Sequence, residues 1–173
     1  MEENEKKPVD PYDRFLSLSD TLKITLYPYE QNGVLIHLPA KSPYFRFTTP
    51  LIRKKALQNG HGWDKSLTDL LAFEIINDAK CREIRLDFYV GPGEEKERQG
   101  WISYAKVKGQ PFLLSRSLFQ NGKRWQSLDE EILLDKDSYD ENEDFVSEVL
   151  TRNLTGFFMK KLPLLERAIL ERK

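Results

Sequence analysis

The chain has one cysteine, Cys81, and two histidines, His37 and His61, in 173 residues. A lone thiol forms no internal disulfide, which fits a reducing, cytoplasmic compartment. Two histidines leave little material for thiol or zinc chemistry. Cys81 abuts the start of a strand with no base beside it, and reads as buried or merely tolerated. His61, in Asn59-Gly60-His61-Gly62, reads as an exposed loop residue with no partner at metal-ligand spacing. No apolar run approaches the roughly 20 residues of a membrane helix, and no secretory leader is visible. Neither charge is in excess: 27 Lys and Arg stand against 28 Asp and Glu, a formal net charge of −1. Nucleic-acid binders carry a positive excess, so that role would need a local patch. Internal repeats, a Walker loop and a serine elbow are all missing, and no acid pair is brought together by spacing alone.

What is present is the mix of a globular protein, 39% hydrophobic and 32% charged. The clearest element is Glu83–Gly100. Ile84, Leu86, Phe88 and Val90 alternate with Glu83, Arg85, Asp87 and Tyr89, which predicts a strand with one apolar and one polar face. Gly91-Pro92-Gly93 ends it. Glu94, Glu95 and Glu97 suit the positive end of a following helix, whose buried stripe is Trp101, Ile102 and Ala105. Three glutamates at that helix start argue against a phosphate cradle. Asp87 with Glu94-Glu95-Lys96 also matches D…E-x-K, in which two carboxylates hold Mg²⁺ and the lysine supports attack on a phosphodiester. That chemistry needs E-x-K on a rigid strand, whereas Glu94 and Lys96 lie beyond the Gly-Pro-Gly break in a run of charges.

Residues 1–13 read as a disordered tail and 14–173 as one α+β domain. Phe15–Leu18 predicts a short helical turn. Leu22, Ile24 and Leu26 alternate with polar residues and predict a strand, joined to Val34–Leu38 by a hairpin at Asn32-Gly33. Tyr44–Thr49 predicts a strand and Leu51–Leu57 a short basic helix. Leu67–Ile76 favours strand, turning at Asn77-Asp78 into an antiparallel pair with Glu83–Val90. Phe112–Leu114 and Ile132–Leu134 are short strand candidates, with Asn121-Gly122 marking a second hairpin region. The last segment is helical, with Asp140 and Glu143 as a capping box. Val146, Leu150, Leu154, Phe157 or Phe158, Leu162, Leu165 and Ile169 form its core stripe, and Pro163 kinks or restarts it.

Several features stand in a telling order: Phe45–Pro50 (FRFTTP), Gly62-Trp63, the strand ending in Val90–Gly93 (VGPG), Arg98, Trp125, and Phe157–Ile169 (FF…KKLPLLERAI). From Tyr44 to Lys173 this order resembles the C-terminal region of a bacterial family of PD-(D/E)XK nuclease superfamily proteins. In that family the nuclease core precedes this region and carries the catalytic Asp and E-x-K. Only about 40 residues precede the match here. The resemblance therefore implies an accessory domain without the nuclease core, and carries over no catalytic residue.

The expected architecture is a mostly antiparallel sheet with the helix after Gly93 and a long kinked C-terminal helix on its apolar face. The expected function is non-catalytic binding of a protein partner or self-association, without a cofactor or membrane. Tyr27, Tyr29, Tyr44, Tyr89, Trp63 and Trp125 are the aromatic surface candidates. For nucleic acid the candidates are Arg53, Lys54, Lys55, Lys106, Lys108, Lys123 and Arg124. The alternatives are a reduced metal-dependent nuclease acting on DNA, with Mg²⁺ at Asp87 and Glu94 and Lys96 beside it, and a structural homo-oligomer.

Overall fold

Asp10 starts the first helix. Its carboxylate accepts from the Tyr12 N–H at 2.9 Å, and Pro11 takes the position where no N–H is needed. This is α1, Pro11–Thr25, in a computed structural model that describes residues 7–37, 44–52, 71–91, 94–115, 117–120 and 123–172. The helix includes residues 11–13 of the expected tail, and the Val9 N–H donates to Asp140 at 2.9 Å.

The strand expected at Leu22–Leu26 is helix. Phe15, Leu18, Leu22 and Leu26 are buried at helical spacing, while Ile24 is 78% exposed. A period of two fits 22, 24 and 26 alone; the longer window obeys a period of 3.6. After α2, Tyr27–Gln31, the expected hairpin turn is a helix stop. The Val34 N–H donates to the Tyr29 carbonyl and the Gly33 N–H to that of Glu30, with Gly33 at φ +91, a Schellman motif.

The described residues build a six-stranded antiparallel sheet in the order β1-β2-β3-β4-β6-β5. The strands are β1 Leu35–His37, β2 Tyr44–Thr48, β3 Leu71–Asp78, β4 Glu83–Val90, β5 Ser117–Gln120 and β6 Lys123–Leu134. The expected β3–β4 pair forms, with its turn two residues later than Asn77 and Asp78, which belong to β3. Ile132–Leu134 is the end of the twelve-residue β6, and Phe112–Leu114 is irregular rather than strand.

One face of this sheet carries Phe45, Phe47, Phe73 and Phe88, and the described helices pack there. Phe15 of α1 stacks on Phe45 with centroids 5.2 Å apart, and Phe157 meets the edge of Phe73 at 5.9 Å. Helix α3, Glu95–Ala105, follows the β4 stop. Its Trp101 and Tyr104 reach Phe88 through Phe112. Arg98 fastens α3 to the strand end by donating to the Gly91 carbonyl at 2.9 Å. The α+β architecture thus has its helices on the apolar face, as expected.

The C-terminal helix starts at α4, Glu143–Gly156, capped by Asn142 rather than by Asp140. Asn142 accepts from the Phe145 N–H at 2.9 Å, while Asp140 pairs with Arg82. A π-helical turn, Phe157–Lys161, joins α4 to α5, Leu162–Glu171. The extra residue of this turn places Phe157 and Phe158 side by side in the core, and Pro163 falls in the first turn of α5. No helix of the described residues is long and apolar enough to cross a membrane.

Candidate functional site

The second face of the sheet is polar but also buried. Arg46 of β2 stands opposite Glu74 of β3, Glu74 opposite Asp87 of β4, and Asp87 opposite Glu130 of β6. Four ionisable side chains therefore form one row across four neighbouring strands, because opposed residues of paired strands share a face. Asp87 has none of its side chain exposed. It accepts from the Tyr89 hydroxyl and from Arg85 Nε at 3.2 Å, while its Oδ1 lacks a hydrogen bond among the described residues. Arg46 Nε is 3.5 Å from Glu74.

Burial dominates the titration of this row. It pushes the Glu74 carboxyl up to about 7, against the pull of Arg46 and with the help of the Asp87 charge. It also raises Asp87, against the Tyr89 and Arg85 hydrogen bonds, and Glu130 adds to the rise. Tyr89 is raised by burial and then by the neighbouring Asp87 charge. Burial works against the Arg85 charge, but Asp78 and Asp87 outweigh it and hold the guanidinium above its ordinary range. A carboxyl near neutrality is a proton reservoir, and such groups mark functional sites and strained ion networks alike.

The row does not assemble D…E-x-K. Asp87 is spent on Arg85 and Tyr89, while Glu94 and Lys96 are exposed at the start of α3, beyond the end of β4. The three basic candidates with described side chains, Lys106, Lys108 and Arg124, do not converge either. Lys106 and Lys108 follow the C-terminal end of α3. Arg124 is at the other end of this roughly 16 Å helix, where after Gln99 and Arg98 it helps hold the Glu95 carboxyl low. Lys123 opens β6, with its side chain outside the described part, and Arg53, Lys54 and Lys55 lie outside the described residues. Of the aromatic candidates, Tyr89 and Trp125 are buried, Tyr27 is exposed and Tyr29 packs on Phe158. The side chain of Tyr44 and the whole of Trp63 fall outside the described residues.

Asp78, Cys81 and Glu83 gather their ligand atoms within 4.8 Å in the β3–β4 turn, so Cys81 is exposed there rather than buried. A guanidinium already fills the cation's role in this cluster. Arg85 Nη1 is 2.7 Å from Asp78 and 3.4 Å from Glu83. Asp78 also accepts from the Lys80 and Cys81 N–H groups, the pattern of a turn stabilised by its own side chain.

A more open feature lies beside β6. β5 pairs only with Lys123–Gln126, so from Ser127 onward β6 has a strand neighbour on one side alone among the described residues. A groove follows this edge, between Leu113 and Ile132 on one side and Arg152, Asn153, Lys160 and Lys161 on the other. Glu130, Glu131 and Ile132 are consecutive and all line it, although their side chains alternate between faces. The groove therefore meets the edge of the strand rather than a face. Leu113 is 64% and Ile132 42% exposed.

The groove's charges are partly committed. Lys161 Nζ is 2.8 Å from Asp129 and 3.2 Å from Glu131. Burial raises the Asp129 carboxyl to about 6 in spite of this lysine. Glu130 accepts from Ser115 at 3.0 Å. Arg152 and Lys160 are exposed at the groove's rim. Asn153 donates to the Leu133 carbonyl at 2.8 Å, where the β4–β6 register slips and the strand bulges.

No family model, curated protein or solved structure matches the chain. The groove and the row therefore stand on their own chemistry. Sequence reasoning placed Asp87 on a polar strand face but missed Glu74 and Glu130 beside it. Alternation carries that signal, since Glu74 breaks the apolar run of β3, but the register that aligns the three is a tertiary fact. Arg152 and Lys160 did not stand out in the sequence, because the π turn that carries Lys160 cannot be read from apolar spacing.

Proposed function

We propose that this chain is a non-catalytic, cytoplasmic binding module for protein, related to the accessory region that its motif order resembles. The observation that supports this reading best is the groove beside β6, where a strand edge with no neighbour among the described residues, two exposed apolar side chains and a cationic rim occur together. Open edges and exposed apolar side chains are costly in a free protein and useful at an interface. Nucleic acid is disfavoured because Lys106, Lys108 and Arg124 are spread over both ends of α3 and the net charge is −1. Catalysis is disfavoured because Asp87 is buried and paired while Glu94 and Lys96 are exposed.

The test is affinity capture from the native host, with and without nuclease, comparing the natural protein with Leu113→Asp. Proteins that survive nuclease treatment and are lost from the variant are the expected result. Capture that depends on nucleic acid, or DNA cleavage with Mg²⁺ or Mn²⁺ that is lost in Asp87→Asn, would replace this reading.

A further inference from the structure

The inner wall of the groove is the edge of β6 at Glu130, Glu131 and Ile132, which has no strand neighbour on that side among the described residues. The outer wall is the C-terminal end of α4 with the π turn, which keeps that edge from being a flat, unguarded one. Leu113 and Ile132, both exposed, offer apolar contact in the lining. The acids on the strand are already engaged, Glu131 by Lys161 and Glu130 by Ser115. Arg152 and Lys160 are left on the rim facing solvent. Main-chain pairing supplies affinity to any extended peptide, and the rim supplies selection for carboxylates.

We propose that an extended, acidic segment of a partner protein adds as a strand along Glu130–Ile132 of β6, with its carboxylates meeting Arg152 and Lys160. This rests on the binding-module reading and names the partner's chemistry. The bulge at Leu133 sets the inner limit of the added strand, because the Asn153 side chain already holds that carbonyl. The pairing region is short, so the apolar contacts and the charges must contribute with the ladder. Two unlike cations eight residues apart, about two helical turns, also favour spaced carboxylates over a single anionic head.

The experiment uses the full chain and a fluorescein-labelled peptide of alternating glutamate and valine, followed by anisotropy. Saturable binding is expected, weakened about tenfold by Arg152→Glu with Lys160→Glu and restored in that variant by a lysine–valine peptide. Both rim residues are exposed, and an unchanged thermal midpoint confirms that the variant is folded. Methylation of alternate peptide amides is expected to abolish binding, because it removes ladder donors and leaves the charges. Equal binding of the methylated peptide, or no saturable binding of the unmethylated one, would overturn strand addition. If the peptide fails while nuclease-resistant capture still depends on Leu113, the binding-module reading stands and this partner class falls. If capture vanishes with nuclease, the reading itself falls, whatever the peptide does.

Discussion

Glu74 stands directly opposite Asp87 across the β3–β4 ladder, two carboxyl groups in a largely buried row. Burial first, and then the Asp87 charge, bring the Glu74 carboxyl up to about 7 against the pull of Arg46. The folded state therefore holds a proton that the unfolded chain releases near its ordinary value. Between those two values the native state binds more protons, so stability falls as pH rises and levels off above the folded value. The loss attributable to Glu74 is on the order of 3 kcal/mol from about pH 4.5 to 7. Urea unfolding across that range is expected to show the decline, and Glu74→Gln to flatten it. Asp87, Asp129 and Glu166 are raised as well, while Asp78, Glu95 and Asp140 are lowered and act in the opposite sense, so the variant keeps the balance of these. An unchanged slope in the variant would show that Glu74 is ionised in the fold.

A second prediction concerns Lys161 and Asp129, which meet at 2.8 Å beneath the π turn. Asp129 is 1% exposed, and Lys161 supplies its nearest cation in the groove. Lys161→Met leaves a buried carboxylate without that partner and is expected to cost about 3 kcal/mol at neutral pH. Asp129→Asn in the same background should return most of the loss, and lowering the pH should do the same by protonating the acid. Urea titrations of the two single variants and the double variant decide this. A double variant as weak as Lys161→Met alone would assign the loss to packing of the lysine stem.

Gly33 and Gly109 separate backbone strain from crowding. Both have positive φ, +91 and +89. A Cβ on Gly109 meets open space, whereas one on Gly33 lies 3.0 Å from the ring of Pro50. Gly109→Ala therefore reports the left-handed backbone alone, about 1 kcal/mol. Gly33→Ala adds the contact with a stiff ring and disturbs the Schellman stop, so its cost is expected at roughly 2 kcal/mol or more. Thermal unfolding of the two variants is the measurement, and equal losses would remove Pro50 from the account.

Gly33 also shows where the chain's own pattern stops being readable. Asn-Gly serves a hairpin turn and a helix stop equally well, and the choice depends on what precedes it. The alternation of Leu22, Ile24 and Leu26 suggested strand; Leu18 and Phe15, one and two turns before Leu22, decide for helix. The β3–β4 pair, the helix after β4 and the C-terminal stripe were legible because each has many residues in one period. The candidate site was legible only in part. Asp87 stood out by its place on a polar strand face, but its burial depends on the fold as a whole. The groove edge depends on β5 beginning only at Ser117, opposite Gln126, so that it leaves the rest of β6 without that neighbour.

The last prediction concerns Arg172, whose guanidinium carbon sits 4.3 Å from the centroid of the buried Trp101 ring. It crosses Gly100, where an added Cβ would collide with the terminal nitrogen of that guanidinium. A second contact ties the same group to Glu97 at 3.7 Å. Gly100→Ala therefore has two opposed effects. Alanine inside α3 gains about 1 kcal/mol of helix propensity, and displacing the arginine from the indole loses about 1 kcal/mol. The single variant is expected to be close to neutral. In an Arg172→Ala background there is nothing to displace, and Gly100→Ala should stabilise by the full propensity term. Chemical denaturation of the four proteins gives the coupling, expected at about 1 kcal/mol for residues in contact. Additive effects would mean that Arg172 moves aside without loss, and that the stacking on Trp101 does not hold the end of the chain to α3.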